Sequence, residues 1–264
     1  MTDYQGYEAI EFEWLGDVLR VTLANPRNEL NAVDGAMHAE LRRLFEELKN
    51  EDDARAVILT GNGRAFSAGG DFEWMASWRP EDLSALRREG KQIIWNLLDV
   101  EVPIVAAVNG PAVGLGATLA LLCDVIFMSE EAKLADPHVR VGIVAGDGGA
   151  VAWPLAVGPA VAKRYLLTGD ALTAADAERL GLITHAVPAE ELQDEALAFA
   201  RRLAQGAPLA VRYTKLAVNQ LVKQSLTTAF DYSTALEVLT FASADHREAL
   251  RALSEKQQAE FAGV

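Results

Sequence analysis

From Val102 to Cys123 the chain carries no charged side chain. A stretch of that length and character has to leave water, either into a bilayer or into a protein core. Pro103, the run Asn109-Gly110-Pro111, Gly114 and Gly116 interrupt it. A strand, a tight turn and a buried helix in succession use each of these breaks, whereas a continuous membrane-spanning helix does not. Pro103–Val108 therefore reads as a buried strand and Gly116–Leu122 as a buried helical segment.

The rest of the first two thirds alternates in the same way. Glu8–Trp14 and Asp17–Ala24 read as short strands around a turn at Leu15-Gly16-Asp17. In the second, Leu19, Val21 and Leu23 alternate with Arg20 and Thr22, the period of a half-buried strand. Val33–Asn50 is an amphipathic helix, with Met37, Leu41, Leu44, Phe45 and Leu48 on one face. Arg55–Thr60 is a strand, Asp71–Trp78 is helical, and a further helix opens at Pro80-Glu81-Asp82 and runs to about Leu98. Asp124–Ser129 is a strand, Ala174–Leu180 a helix stopped by Gly181, and Leu182–Val187 a strand. From about Glu190 the pattern is helical, with a break at Pro208. Alternating strands and helices predict an α/β fold with parallel pairing and crossovers. The chain divides into a core over residues 1–200 and a helical C-terminal region over residues 201–264.

Composition narrows the partners. Half of the 264 residues are apolar, which suits a folded globule. The net charge of −14 argues against nucleic acid, which demands clustered Lys and Arg. An anionic ligand must then be held by a few local cations. The single cysteine, Cys123, excludes an internal disulfide, and its apolar neighbours make it a buried small hydrophobe. The first residues lack a basic region and an apolar run, so a cytoplasmic protein is expected. His38, His138, His185 and His246 show no metal-ligand spacing, and no metal is expected.

Two segments carry the chemistry. In Gly61-Asn62-Gly63-Arg64-Ala65-Phe66-Ser67-Ala68-Gly69-Gly70-Asp71 a strand ends, small residues follow, and a helix begins with Asp71 placed to cap it. Ala107-Val108-Asn109-Gly110-Pro111-Ala112-Val113-Gly114-Leu115-Gly116 repeats that order. Amides at such junctions point outward and favour negative charge. Two of them aimed at one oxygen form an oxyanion hole. Neither segment is a nucleotide P-loop, because no Gly-Lys-Ser/Thr follows.

Together these segments resemble the crotonase (enoyl-CoA hydratase/isomerase) superfamily. Leu23-Ala24-Asn25-Pro26-Arg27 with Leu30-Asn31-Ala32, and Leu166-Leu167-Thr168-Gly169 with Ala174, Ala177 and Gly181-Leu182-Ile183, extend the resemblance over Glu8–Pro188. It implies a spiral of repeated strand–strand–helix units, with the C-terminal helices serving oligomerisation and active-site cover. It implies a homotrimer or dimer of trimers and an acyl-CoA substrate, with no cofactor beyond the CoA moiety. By position, the Gly70 and Leu115 amides would hold the thioester oxygen. Ala68 would lie near the adenine and Arg27 near the phosphates, although Arg27 also reads as a solvated loop charge.

The family's hydratases carry two glutamates, and those positions here hold Thr118 and His138. Thr118 can donate a hydrogen bond to the substrate but is no base. The carboxylate in Gly146-Asp147-Gly148-Gly149 is the replacement candidate. It resembles the carboxylate of isomerase branches, and burial among glycines and apolar residues is expected to raise its pKa. Asp147 could equally cap the helix near Ala150. His138 is expected to assist it. Double-bond isomerisation is the favoured reaction. The alternatives are hydration or β-diketone-type hydrolysis by His138 and Asp147, or acyl-CoA binding without catalysis. Arg212 and Lys215 could reach a CoA phosphate or be plain surface charges. Trp153 is a candidate acyl-pocket wall, and Phe230, Tyr232 and Phe241 are packing residues.

Overall fold

The computed structural model describes residues 3–79 and 81–264; Met1, Thr2 and Pro80, the last expected at a helix start, lie outside the described residues. The main sheet has six strands in the order β1 (Ile10–Trp14), β2 (Val18–Leu23), β3 (Ala56–Gly61), β4 (Ile104–Val108), β6 (Val125–Ser129) and β9 (His185–Val187). β1 pairs antiparallel with β2, and every other pairing in this sheet is parallel. A second sheet joins β5 (Ala112–Val113), β7 (Lys133–Ala135) and β8 (Leu172–Thr173).

The central strands β3 and β4 are buried along their whole length, as their unbroken apolar runs require of parallel strands covered on both faces. Their alternate residues divide between two layers. Val57, Leu59 and Ala106 face the larger core, shared with α1 (Gly35–Leu48) and α3 (Leu83–Asp99). Ala56, Ile58, Val105 and Ala107 face a smaller core closed by Leu192, Ala196 and Ala200 of α7 (Leu192–Ala204). The expected strand–helix alternation and α/β class therefore hold. The last strand is shorter than expected, because residues 182–184 lead into β9 as a bend.

Two short helices and one long one also belong to the α/β part. They are α2 (Phe72–Ala76), α4 (Leu115–Leu121) and α5 (Gly149–Leu166). α6 (Ala174–Leu180) ends at Gly181, whose φ of 84° makes the left-handed cap expected of it. The C-terminal region is α8 (Pro208–Phe241) followed by α9 (Ala244–Ser254), and the break expected at Pro208 is present, with α7 ending at Ala204 and Pro208 opening α8. Lys91 pairs with Asp231 and Lys223 with Asp99, so α3 and α8 run antiparallel against each other.

Arg212 and Lys215 turn out to be ties between α8 and the core. Arg212 donates to the carbonyls of Glu51 and Ala54, both at 3.2 Å, and Lys215 Nζ sits 2.8 Å from Asp124 Oδ2 and from the Val102 carbonyl. Their sequence spacing could not show that the α8 face carrying them is turned inward. Cys123 is buried, and burial pushes its thiol pKa up, away from reactivity. No helix among the described residues is long and apolar enough to cross a membrane.

Candidate active site

The two glycine segments meet backbone to backbone. Ser67 and Ala112 form an isolated parallel bridge, and the Val113 amide donates to the Ser67 carbonyl at 2.9 Å. Gly69 has φ of +79°, and a Cβ there would stand 2.6 Å from the Val113 carbonyl oxygen. Only glycine permits that approach. Asp71 accepts from the Trp74 amide at 2.9 Å and caps α2 as expected. Gly70 and Leu115 thereby come to the wall of one cavity of about 120 Å³. Among the described residues no acceptor meets either backbone N–H.

Opposite these amides lies a cluster of titratable groups. His138 opens a single 3-10 turn (His138–Val141) after Asp136-Pro137, and its Nδ1 donates to Asp136 Oδ1. Its Nε2 stands 3.4 Å from Asp147 Oδ2 and 4.0 Å from Glu237 Oε1. Asp147 Oδ1 accepts from the Thr118 hydroxyl and from the Gly149 amide, each at 3.2 Å. Asp147 thus also bonds the first amide of α5, although the N-cap residue is Gly148 and not Asp147 as its position suggested.

The glycines around Asp147 are what let these groups converge. A Cβ at Gly149 would stand 2.0 Å from Asp136 Oδ2, one at Gly146 2.5 Å from Glu237 Cβ, and one at Gly148 2.8 Å from Thr118 Cγ2. Each of Gly146, Gly148 and Gly149 is therefore the floor on which another member of the cluster rests. The Asp136 side chain has no exposure, and those of His138, Asp147 and Glu237 retain 11%, 16% and 10%. Asp136 Oδ2 and Asp147 Oδ2 are buried oxygens without a hydrogen-bond donor.

Charge separates the carboxyls. Burial alone would lower His138, but the carboxylates of Asp136 and Asp147 hold its pKa well above the usual imidazole range. Burial alone would raise Asp147, but the His138 charge and the bonds from Gly149 and Thr118 hold it below the usual carboxylate range. The expected rise at Asp147 is thus reversed, because the sequence does not show the imidazolium placed beside it. Glu237 goes the other way: burial first, then the Asp147 and Asp136 charges, keep its proton on, against the pull of His138. One wall therefore presents an ionised carboxylate, an imidazolium and a neutral carboxylic acid.

Of the residues singled out from sequence, Gly70, Leu115, His138 and Asp147 share the cavity. Thr118 lies behind it, fully buried against Asp147, and does not line the space a substrate would take. Ala68 and Arg27 are not among the residues that line the cavity. Arg27 is paired with Asp34 at 2.7 Å, with its side chain half exposed. Trp153 is packed wholly inside the core beside Tyr165, so it is no pocket wall. Phe230 and Phe241, read as packing residues, do line the cavity, and Phe241 meets Trp78 edge to face.

Sequence reasoning missed Glu237 and gave Asp136 no role. Glu237 lies in the middle of a long helix with no motif around it, and only the fold of α8 over α5 brings it to His138. Asp136 directly precedes Pro137, two residues before His138, a spacing that could have flagged it. His38 also lines the cavity. Its Nδ1 is 3.5 Å from Glu89, and burial holds its pKa below the usual imidazole value. Asp136, His138 and Asp147 offer ligand atoms within 4.8 Å of one another, a set that could hold a metal ion. The two imidazole nitrogens point in opposite directions, however, so the aspartates that meet them address opposite edges of the ring.

The amide pair and the cluster of acids and bases thus share one cavity of an α/β fold. The sequence profile of enoyl-CoA hydratase/isomerase matches residues 14–264. The chain is 36% identical to a probable enoyl-CoA hydratase of Mycobacterium bovis, over 97% of this chain and 98% of that one. It superposes on an enoyl-CoA hydratase/isomerase of Mycobacterium paratuberculosis with a TM-score of 0.89 and 38% identity, covering 94% of this chain and 99% of that one. It also superposes on a β-diketone hydrolase of the cyanobacterium Anabaena, with a TM-score of 0.83 and 35% identity, over 89% of this chain and 94% of that one. The chain belongs to the enoyl-CoA hydratase/isomerase family and is an acyl-CoA enzyme of that family.

Proposed function

We propose that this enzyme uses water to cleave the carbon–carbon bond of a β-dicarbonyl acyl group, a 3-oxoacyl thioester in the first instance. The observation that carries the reading is the opposite displacement of two carboxyls about His138 Nε2. Asp147 is held ionised and Glu237 is held neutral. Water addition needs a base for the incoming water and an acid for the departing carbanion, and the two are present together.

The thioester oxygen lies on the Gly70 and Leu115 amides. Water attacks the β-carbonyl carbon while Asp147, coupled to His138, takes its proton. The bond between that carbon and the α-carbon breaks, and its electron pair becomes an enolate whose oxygen rests in the amide pair. Glu237 or the His138 imidazolium then protonates the α-carbon. The products are a carboxylic acid and a shortened thioester. The structural likeness to a β-diketone hydrolase supports this reading.

Hydration of a 2-enoyl-CoA uses the same two transfers, hydroxide to the β-carbon and a proton to the α-carbon. The hydratase names of the sequence relatives favour it as the second reading. Isomerisation fits less well. It asks a single carboxylate to shuttle a proton between two carbons, which leaves the oppositely displaced pair of Asp147 and Glu237 without a use.

The test is to incubate the purified enzyme with 3-oxoacyl-CoA, 2-enoyl-CoA and 3-enoyl-CoA and identify the products. Turnover of the 3-oxoacyl-CoA with a carboxylate released is expected. Turnover confined to the 2-enoyl-CoA establishes the second reading, and double-bond migration with no uptake of labelled water refutes both. A homotrimer or dimer of trimers is proposed too. Leu209, Tyr213, Val218 and Leu221 leave an exposed apolar row on α8 that supports it, and light scattering of the purified protein tests it.

A further inference from the structure

The cavity is electrically one-sided. Its catalytic wall carries the acidic cluster. Another wall is one face of α3, where Leu83, Leu86, Arg87, Gly90 and Lys91 recur at helical spacing. Two of these five are cations, in a protein whose net charge is −14. Lys91 is neutralised by Asp231 across the α3–α8 contact. Arg87 is partly buried, and among the described residues no hydrogen bond or ion pair meets its guanidinium. Its neighbours on α3 are engaged: Arg88 donates to Ser84 and Glu89 faces His38.

This unpaired guanidinium shares an otherwise apolar stretch of the cavity lining with Leu83, Leu86, Trp78 and Phe241, and a carboxylate there would give it a counter-charge. The protein, rich in acids, places none there. We infer that the ligand supplies it: the acyl group that enters this cavity ends in a carboxylate, and Arg87 is its counter-ion. The proposal rests on the acyl-group reading above and adds the chemical class of that group. The acidic cluster turns an anionic end away from His138, and Arg87 gives it a place on α3. The same charge pattern orients the acyl group, so that its reactive carbons and not its anionic end face Asp147. A fork of guanidinium donors suits a carboxylate better than a lysine does.

The experiment is equilibrium binding, which needs no turnover. Hexanoyl-CoA is compared with adipoyl-CoA, its counterpart with a terminal carboxylate, and with the terminal amide of adipoyl-CoA. The wild-type enzyme is expected to bind adipoyl-CoA about tenfold or more tighter than either of the others. Arg87→Gln is expected to abolish that preference, weakening adipoyl-CoA far more than hexanoyl-CoA, and Arg87→Lys to restore part of it. Equal binding of all three ligands by the wild type overturns the inference, and this comparison requires no variant to fold. Equal weakening of adipoyl-CoA, hexanoyl-CoA and free CoA in Arg87→Gln also overturns it, because the arginine then serves the CoA phosphates. If no thioester binds, the acyl-CoA reading itself fails. A free δ-keto acid and its amide then decide the inference: tighter binding of the acid supports it and equal binding overturns it.

Discussion

Replacing Asp147 with asparagine keeps the side-chain shape and removes one charge. The asparagine oxygen can still accept from Thr118 and Gly149, so the main loss is the ion pair to His138 Nε2 at 3.4 Å. At an effective dielectric of about 20, unit charges at that distance attract by about 5 kcal/mol. Desolvation offsets much of this, and Asp136 remains on the other ring nitrogen. The expected destabilisation is therefore about 2 kcal/mol, below the roughly 3–5 kcal/mol of a buried charge left with no partner. Its pH dependence follows from the two shifts. The folded-state pKa of His138 is raised, so its contribution is complete below the free value of 6.5 and is lost as pH rises through the folded value. The folded-state pKa of Asp147 is lowered, so its contribution is complete above the free value of 3.8 and is lost as pH falls through the folded value. The gap between wild type and variant should be widest between these free values and close on either side.

Activity should fall further than stability. Loss of a general base costs about 10²- to 10⁴-fold in kcat, or about 3–5 kcal/mol of barrier. The assay is steady-state turnover of the substrate identified for the wild type, with urea unfolding across pH and an NMR titration of the His138 ring in parallel. The His138 pKa should move down. A kcat within about twofold of wild type, in a variant that folds, would remove Asp147 from the chemistry and sink the water-activation scheme.

Other perturbations test other parts of the argument. Glu237→Gln removes a buried acid whose folded-state pKa is raised, so the wild-type group destabilises the fold increasingly as pH rises above its free value of 4.5. The variant should gain stability at pH above that value and lose turnover; equal stability curves across pH would refute the assignment of Glu237 as a neutral acid. Gly69→Ala drives a methyl against the Val113 carbonyl at a positive φ, and should separate the Gly70 and Leu115 amides. Turnover is expected to drop by about 10²-fold or more, with the loss falling on kcat, and unaltered kcat would show that the amides do not hold the enolate. Trp153→Ala empties a wholly buried site in the core and should cost about 3–5 kcal/mol in urea unfolding. Trp153→Phe should cost much less, because the indole N–H has no partner to lose.

Some of this protein is written in short stretches of sequence. The uncharged run from Val102 to Cys123 is strand, turn and buried helix because prolines and glycines leave it no other way to satisfy its backbone. The capping aspartate Asp71 and the glycine stop at Gly181 are equally local, since each acts within a turn of its own position. His138 and Asp147, nine places apart, are close enough along the chain for their association to be suspected.

What the tertiary structure alone decided is the electrostatics of the site. Glu237 is one polar residue on a long helix, and nothing near it in sequence distinguishes it from a solvated one. It reaches the cavity because α8 packs over the Gly146 turn. The direction of the Asp147 shift has the same origin. Burial, which the apolar neighbours announce, pushes its pKa up; an imidazolium arriving from the other side of the 3-10 turn pulls it down and wins. Hydrophobic burial and backbone capping are set by neighbours in sequence. Coulomb energy depends on distance through space, and only folding supplies those distances.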